Sequence, residues 1–455
     1  MSKLRRIYET TPEISFISPQ SEFSLYWKSF LESELGRLYQ CIPWVDLCKS
    51  LKLRDNRKGR SSLFSPQGKL ALMFLKSYTG LSDRKLYEHL NGSLQYQLFC
   101  GIFLGPEKLS DFKIISKIRT ELAGKLNIKV TQDILAKAWK PYMKDTNIVL
   151  EDATCYETYM RYPTNVKLLW ESVEWLYGQM KITCKYLKIR TPRTKYLKQH
   201  ERYLAYSRKK RKSQKERTVL TRSLLHLLNK LLEEQGIIEK EYQTSLIFPK
   251  RYHKNKRIVE KILSQQQEMF STGNYSIPNK ILSISKSYIR PIVRGKEVKK
   301  VEFGAKINMI QVDGINFIEH LSFDAFNEGV RLIASVRYSR TLFGKTTHIS
   351  ADDIYATNAN RKWCTSQKII TNFKKKGRAG KHEEHRKIIA SELRKERATR
   401  MEGSFGTEKQ HYNLGKIKAR TKQNEIFWIF MGVHTANAVR IAKRLAQEKS
   451  SDIAA

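Results

Sequence analysis

No two of the six cysteines in this 455-residue chain form a C-x-x-C pair. Cys41, Cys48, Cys100, Cys155, Cys184 and Cys364 are scattered, which gives a zinc or disulfide framework little support and fits a reducing cytoplasm. Long apolar runs are missing too. The best, Ile426-Phe427-Trp428-Ile429-Phe430-Met431-Gly432-Val433, breaks at His434, well short of the ~20 residues a membrane span needs. The amino terminus, Met1-Ser2-Lys3-Leu4-Arg5-Arg6, is basic but leads into Glu9 and Glu13 without an apolar core, so no signal peptide is expected. Acidic residues are scarce: 44 Asp and Glu face 85 Lys and Arg, a net charge of +41. Such a field favours a polyanion, nucleic acid above all, with an RNA-coating protein or a membrane-surface binder as the blander readings. The 40% of hydrophobic residues excludes wholesale disorder, and the length allows two or three domains with a sizeable core.

Residues 1–140 read as helical. Ser65-Pro66 places an N-cap and a first-turn proline ahead of Leu70, Leu72, Met73, Phe74 and Leu75. Gly80 ends that helix and Ser82 caps the next, which carries Leu86 and Leu90. Another is expected from Ser110, with Phe112, Ile115 and Ile118 inward and Lys113, Lys117 and Arg119 outward. Short helices with a basic outer face suit a helix-turn-helix reader of DNA; the plain alternative is a helical packing domain.

A first strand is expected over 145–154. From about 170 to 285 the pattern is long-helical and basic: residues 181–260 hold 23 Lys and Arg against 7 Asp and Glu, a net +16. Arg208-Lys209-Lys210-Arg211-Lys212 is the sharpest run, with Tyr186, Tyr196, Tyr203 and Tyr206 before it. Leu220, Leu224, Leu225, Leu227, Leu228, Leu231 and Leu232 then make an apolar stripe. A charge run is usually a solvated face; the stripe argues instead for a packed helical insertion with a basic outer face. After Pro291 short strands follow: Ile292-Val293, Val301-Glu302-Phe303, Ile307 to Val312, and Phe317-Ile318, broken at Gly295, Gly304 and Gly314. A helix over Ala325 to about Arg337, a strand before Asp352, a helix near Asn358–Cys364, a strand at Ile369-Ile370 and a long helix over 381–412 complete an α/β pattern.

Three carboxylates stand out. Asp152 follows Ile148-Val149-Leu150, Asp352 follows Thr347-His348-Ile349-Ser350, and Glu402 lies in a basic helical segment. Acids at the ends of apolar strands need a balancing cation, which here is either protein or a metal such as Mg²⁺. Two aspartates on neighbouring strands and a third acid on a covering helix form the ligand set of two-metal phosphoryl transfer. Glu151 and Asp152 must point to opposite faces, as must Asp352 and Asp353 if the strand continues. The plain reading of a strand-end aspartate is a turn cap. Glu396 and Glu408 rival Glu402, and for any of them the plain reading is a surface ion pair. Gly403 and Gly406 cost on the order of 2 kcal/mol together inside a helix, which suggests close approach by a sheet or a DNA backbone. Lys409 returns to nearly the face of Glu402. Cys155 and Cys364 read as buried small hydrophobes, and His382-Glu383-Glu384-His385 as a solvated helix face.

The blocks around these acids resemble those of DDE transposases of bacterial insertion sequences, in particular the group-five type. Asp152-Ala153-Thr154 with Arg161-Tyr162-Pro163-Thr164-Asn165 looks like the first-aspartate block, with Asn165 where the family usually has aspartate. Ile289 to Lys296 and Val301 to Lys306 look like the central strand block. Ala351-Asp352-Asp353-Ile354-Tyr355 with Asn360 to Cys364 looks like the second-aspartate block, and Glu402-Gly403-Ser404-Phe405-Gly406 with Lys409 like the glutamate block. The family often has arginine where Ala398 stands, leaving Arg397 or Arg400 to hold a phosphate there.

The resemblance implies a ribonuclease-H-like mixed sheet flanked by helices, with an all-α N-terminal domain. The expected division is a helical DNA-end-binding domain at 1–140, a catalytic domain at 141–170 and 286–455, and a basic helical insertion at 171–285. It implies Asp152, Asp352 and Glu402 as ligands of two Mg²⁺ ions, Mn²⁺ substituting, with Lys409 beside them. Duplex DNA, both element ends and target, is the implied partner of a homodimer. Lys113, Lys117, Arg119, Arg208 to Lys212, Arg397 and Arg400 are the candidate DNA contacts. Residues 361–420, with 18 basic against 6 acidic side chains, add a second basic region. A nuclease of the same fold that never joins DNA, and a non-catalytic nucleic-acid-binding protein, stay open as alternatives.

Overall fold

The computed structural model describes residues 5–6, 19–55, 62–105, 107–243, 248–293, 301–377 and 382–454. They divide into two compact units, one of residues 1–159, 305–322 and 326–455, the other of residues 160–304 and 323–325. The first unit opens with helices α1 (Pro19–Glu32), α2 (Glu34–Gln40), α3 (Trp44–Ser50), α4 (Pro66–Thr79), α5 (Asp83–Gly92), α6 (Leu94–Phe99), α7 (Lys113–Ala123) and α8 (Ile128–Trp139). Strand β1 (Arg5–Arg6) pairs antiparallel with β2 (Ile102–Phe103). The punctuation read from the sequence operates here. Ser65 accepts from the Gly68 N–H at 3.0 Å with Pro66 in the first turn, Gly80 ends α4 at φ 66°, and Ser82 accepts from the Lys85 N–H. In α7, Ile115 and Ile118 are buried as expected, but the helix starts at Lys113 and Phe112 is exposed. Arg119 turns inward rather than outward: it is 8% exposed, bonds Asp83 at 2.6 Å and lies over the Trp428 ring.

Strand β3 (Ile148–Glu157) runs three residues beyond its expected end. The second unit then follows with four long helices, α9 (Asn165–Leu187), α10 (Tyr196–Arg208), α11 (Gln214–Glu241) and α12 (Lys250–Thr272). Leu220, Leu224, Leu228 and Leu231 recur at helical spacing on α11 and pack with Leu169, Val173, Leu176 and Met180 of α9. Strand β4 (Pro291–Val293) pairs antiparallel with the start of β5 (Val301–Val312). Arg294, Gly295 and Lys296 of the central block, like residues 1–4, Glu9 and Glu13, lie outside the described residues.

β5 is one twelve-residue strand rather than two runs broken at Gly304, and it turns into β6 (Ile315–Ser322) through Asp313-Gly314. Asn327 caps a short 3-10 turn at Glu328–Val330, so helix α13 (Leu332–Phe343) starts seven residues later than its periodicity suggested. Next come β7 (His348–Ser350), α14 (Asn358–Ser366), β8 (Ile370–Thr371), α15 (Glu383–Glu396), α16 (Gly403–His411) and α17 (Lys422–Ala454). The expected long helix over 381–412 is α15 and α16 joined by a π-helical turn at Arg397–Glu402. In the sheet β5 lies between β6 and β3, and β7 between β3 and β8. The β5–β6 pair is antiparallel and the β3–β7 and β7–β8 pairs are parallel. This is the mixed α/β architecture the sequence implied, with a helical N-terminal region, and its strand order is consistent with a ribonuclease-H-like core. The apolar run at 426–433 serves the core, burying Phe427, Ile429, Phe430, Met431 and Val433. No helix of the described residues is long and apolar enough to cross a membrane.

Candidate active site

The register of β3 on β7 brings two acids level. Ile148 pairs His348 and Leu150 pairs Ser350, a constant offset of 200 residues, so Asp152 and Asp352 lie side by side one pleat past the last paired residues. Asp152 is therefore mid-strand but beyond the ladder with β7, where its side chain can leave the sheet. Its Oδ1 accepts from the Ala153 N–H at 2.7 Å and its Oδ2 accepts from Arg397 Nη1 at 2.7 Å. Asp352 caps the short turn Asp353–Tyr355, accepting from the Asp353 N–H at 2.9 Å, and lies 3.7 Å from Arg397 Nη2. One guanidinium thus spans both carboxylates. That guanidinium balances the charge of the pair, and its Nε is buried with no hydrogen-bond partner among the described residues.

Burial pushes the Asp152 carboxyl up to about 6, more than Arg397 and the Ala153 N–H draw it down, while Asp352 and Glu328 repel its negative charge. Asp352 is more open, with 58% of its side chain exposed against 17% for Asp152. Arg397 opens the π-helical turn. A π turn inserts a residue into the helical repeat and re-aims the side chains after it. Met401 of the turn is buried, whereas Glu402 is exposed and makes no ion pair among the described residues. Arg400 is half-exposed and bonds Glu396 at 2.5 Å.

Beyond the turn, α16 lies along the same face of β3. Lys409 donates to Thr154 Oγ1 at 3.0 Å and its ammonium sits 5.8 Å over the Tyr156 ring. Glu408 is not a surface acid: it is fully buried, accepts from the Tyr156 hydroxyl, and accepts from Asn316 Nδ2 at 2.6 Å. Burial raises its carboxyl above the ordinary glutamate range. Asp152, Thr154 and Tyr156 alternate on one face of the strand, and Arg397, Lys409 and Glu408 meet them in turn. Added Cβ atoms at Gly403 and Gly406 would meet nothing within 4 Å. Of the two approaches expected at these glycines, by a sheet or by a DNA backbone, that of the sheet is not made among the described residues.

Behind the strand, Glu151 points the other way and is fully buried. It accepts from Asn308 Nδ2 at 2.9 Å and from the Ser335 hydroxyl, and Asn308 accepts from the Tyr355 hydroxyl at 2.5 Å. Glu319 joins through Asn308 at 3.1 Å and through Arg331. Glu328 pairs with Lys306 at 2.7 Å. Sequence reasoning missed this network, although Asn308 set between Ile307 and Met309 in an apolar strand was a visible cue. Cys155 and Cys364 are buried in the core, and His382 and His385 are exposed, with Glu383 paired to Arg386.

Among the described residues no three His, Cys, Asp or Glu side chains come close enough to share a metal ion. The donor chemistry of Asp152 and Asp352 still fits Mg²⁺, which is usually held by one or two carboxylates with substrate phosphates completing its shell. The structure brings together Asp152, Asp352 and Arg397, with Lys409 further along the strand, and it does not bring Glu402 to them. Of the other candidate cations, Lys113 is exposed and Lys117 pairs with Asp111 at 3.2 Å on the surface. In the second unit Arg208 to Lys212 are all exposed around the end of α10 and the Ser213 N-cap of α11; Lys209 pairs with Glu216.

Residues 25–121 match the family described as Transposase domain (DUF772), and residues 349–437 match the Transposase DDE domain. The second match contains Asp352, Arg397, Glu402 and Lys409; Asp152 precedes it. No curated protein and no solved structure is matched by this chain.

Proposed function

The chain is a DDE transposase of an insertion element, and from that premise we propose that it cuts the element's ends and joins them to target DNA at the Asp152–Asp352 pair. The observation that carries this reading is the shared offset of β3 and β7, which sets two acids side by side at an open strand end. Asp152 and Asp352 would hold Mg²⁺, with Mn²⁺ substituting. Such an ion supplies charge for the attacking and leaving oxygens of a phosphoryl transfer. With a metal on the two carboxylates, Arg397 would be free to hold a phosphate oxygen, for which its planar fork is suited. Lys409, held beside Thr154, places a second cation on the phosphate side. Glu402 is the third acid of this proposal and would complete the metal's shell from its exposed position on the far end of the π turn. The protein acts in the cytoplasm on duplex DNA, as a homodimer that presents two ends.

The test is a cleavage and joining assay with Mg²⁺ and DNA carrying the inverted repeats that flank the reading frame. Asp152→Asn, Asp352→Asn and Glu402→Gln should each lower cleavage by roughly a thousandfold or more, with DNA binding retained. Full cleavage by the Asp152→Asn protein would falsify the assignment. Cut ends without joined product would identify a nuclease. One observation favours a second reading: Arg397 neutralises the two aspartates while Glu402 stays outside, as in a DNA-binding protein without catalysis. Absence of cleavage by the unaltered chain, with the ends bound and Mg²⁺ or Mn²⁺ supplied, would select it.

A further inference from the structure

The helical unit contains a groove that the proposed reaction does not use. It lies where the starts of α9 and α11 meet the ends of α10 and α12, and has a volume of about 970 Å³. Five aromatic rings line it: Tyr162, Tyr203, Tyr206, Phe270 and Tyr275. Four cations, Lys167, Lys212, Arg217 and Arg222, line it with no acidic residue among the lining side chains. Rings and cations are already paired. The Lys212 ammonium lies 5.6 Å over Tyr206 and the Arg222 guanidinium 5.8 Å over Phe270. Tyr203 is braced from behind by Trp170, stacked at 4.9 Å and 14°. Tyr162 and Tyr275 are 71% and 51% exposed, so their rings are open to a ligand in the groove.

Cations alone would suit any polyanion. The rings are what discriminate. In a duplex each base face is covered by its neighbours, and only base edges and phosphates can be reached from the grooves. An unpaired segment offers both the flat face for a ring and the phosphate for a cation, which is how single-strand binding surfaces hold their ligand. The size agrees: the groove is at the upper end of the ~300–1,000 Å³ that takes a compact ligand, enough for a few unpaired nucleotides.

We propose that this groove binds single-stranded DNA, with bases stacking on Tyr162, Tyr206 and Tyr275 and phosphates held by Lys212 and Arg222. The inference rests on the reading of the chain as a DNA transposase and adds a second kind of DNA contact to it. A strand opened next to a cut end is the chemical class of ligand it would receive.

The test uses the full chain in the presence of EDTA, so that binding is separated from chemistry. A short single-stranded oligonucleotide carrying 2-aminopurine is compared with the duplex of the same sequence. With the unaltered protein, 2-aminopurine fluorescence in the single strand should be quenched on binding. The double variant Tyr162→Ala, Tyr275→Ala, at exposed positions that leave the helical core intact, should lose about tenfold or more in single-strand affinity together with the quench. Its duplex affinity should change by less than about twofold. Tyr162→Phe with Tyr275→Phe should keep both, because the ring remains. Unchanged single-strand binding in the alanine variant, or an equal loss on both DNAs, overturns the groove while leaving the transposase reading intact. If the unaltered chain binds neither DNA, the DNA reading fails and the groove proposal with it.

Discussion

Neighbouring residues on β3 meet opposite chemistry because a strand alternates its faces. Asp152 faces Arg397 and the open side; Glu151 faces a closed polar network and burial pushes its carboxyl up to about 8. The neutral form is therefore the one the fold prefers near neutral pH. The folded value lies above the ordinary 4.5, so the native chain keeps a proton that the unfolded chain has released. Stability from this residue is fully present below about 4.5 and declines as pH rises through about 8. Glu151→Gln, which stays neutral in the same shape, should remove that decline. Thermal unfolding at mildly acidic and mildly alkaline pH should show wild type losing more than the variant, by up to about a few kcal/mol; parallel profiles would sink the idea. At this scale the sequence was legible in part. The rule of alternation separated Glu151 from Asp152, but only three-dimensional neighbours could show that Asn308, Ser335 and Tyr355 are the partners of Glu151. Arg397 was one of two arginines left open to hold a phosphate, and no spacing rule could say that it bridges two aspartates instead.

The segment from α15 through the π turn to α16 carries the site's cations. Sequence periodicity makes it one helix, which is nearly right in extent and misses the π turn at Arg397–Glu402. The α-helical stretch after that turn keeps Glu402 and Lys409 seven residues apart on nearly one face. Lys409 meets β3, while Glu402 stays at the surface. The same periodicity makes Glu408 a surface ion pair whose loss would matter little. Its burial against Tyr156 and Asn316 reverses that expectation. Glu408→Ala would leave a buried hydroxyl and a buried amide without their acceptor, a loss of about 2–4 kcal/mol. Urea unfolding measures it, and Glu408→Gln, which keeps one acceptor oxygen, should lose less than half as much. If the alanine variant unfolds at the wild-type midpoint, α16 is not anchored through Glu408. The capped N-terminal helices were legible for a simple reason: Ser65, Pro66, Gly80 and Ser82 act within one turn of themselves. The late start of α13 has a local cue in Asn327, whose side chain caps the 3-10 turn ahead of it; periodicity, which reads only the apolar spacing, passes over both that cap and the π turn.

The charge of the whole molecule is too large to be neutralised internally, and the structure sorts which cations are spent and which remain. Arg119 belongs to the spent group, since it is buried with Asp83 beside Lys76 in the first unit. Arg208 to Lys212 remain exposed in the second unit, although Lys209 shares its charge with Glu216. Composition and charge runs gave both groups the same standing as DNA contacts, because a count cannot see burial. The two sets should therefore separate in a salt titration of duplex binding. Each phosphate contact contributes about 0.9 to the slope of log affinity against log salt. Replacing all five of Arg208, Lys209, Lys210, Arg211 and Lys212 by Gln should flatten that slope by several tenths at least, and by about 4 if nearly all reach phosphates. The loss should be uniform across DNA sequences, since phosphate contacts carry no base information. Arg119→Ala should leave the slope unchanged and lower the unfolding midpoint instead, because it strips Asp83 of a buried partner. A slope that responds to Arg119 and ignores the five exposed cations would place the duplex on the N-terminal helices, and would make the basic run of the helical unit an inert, solvated face.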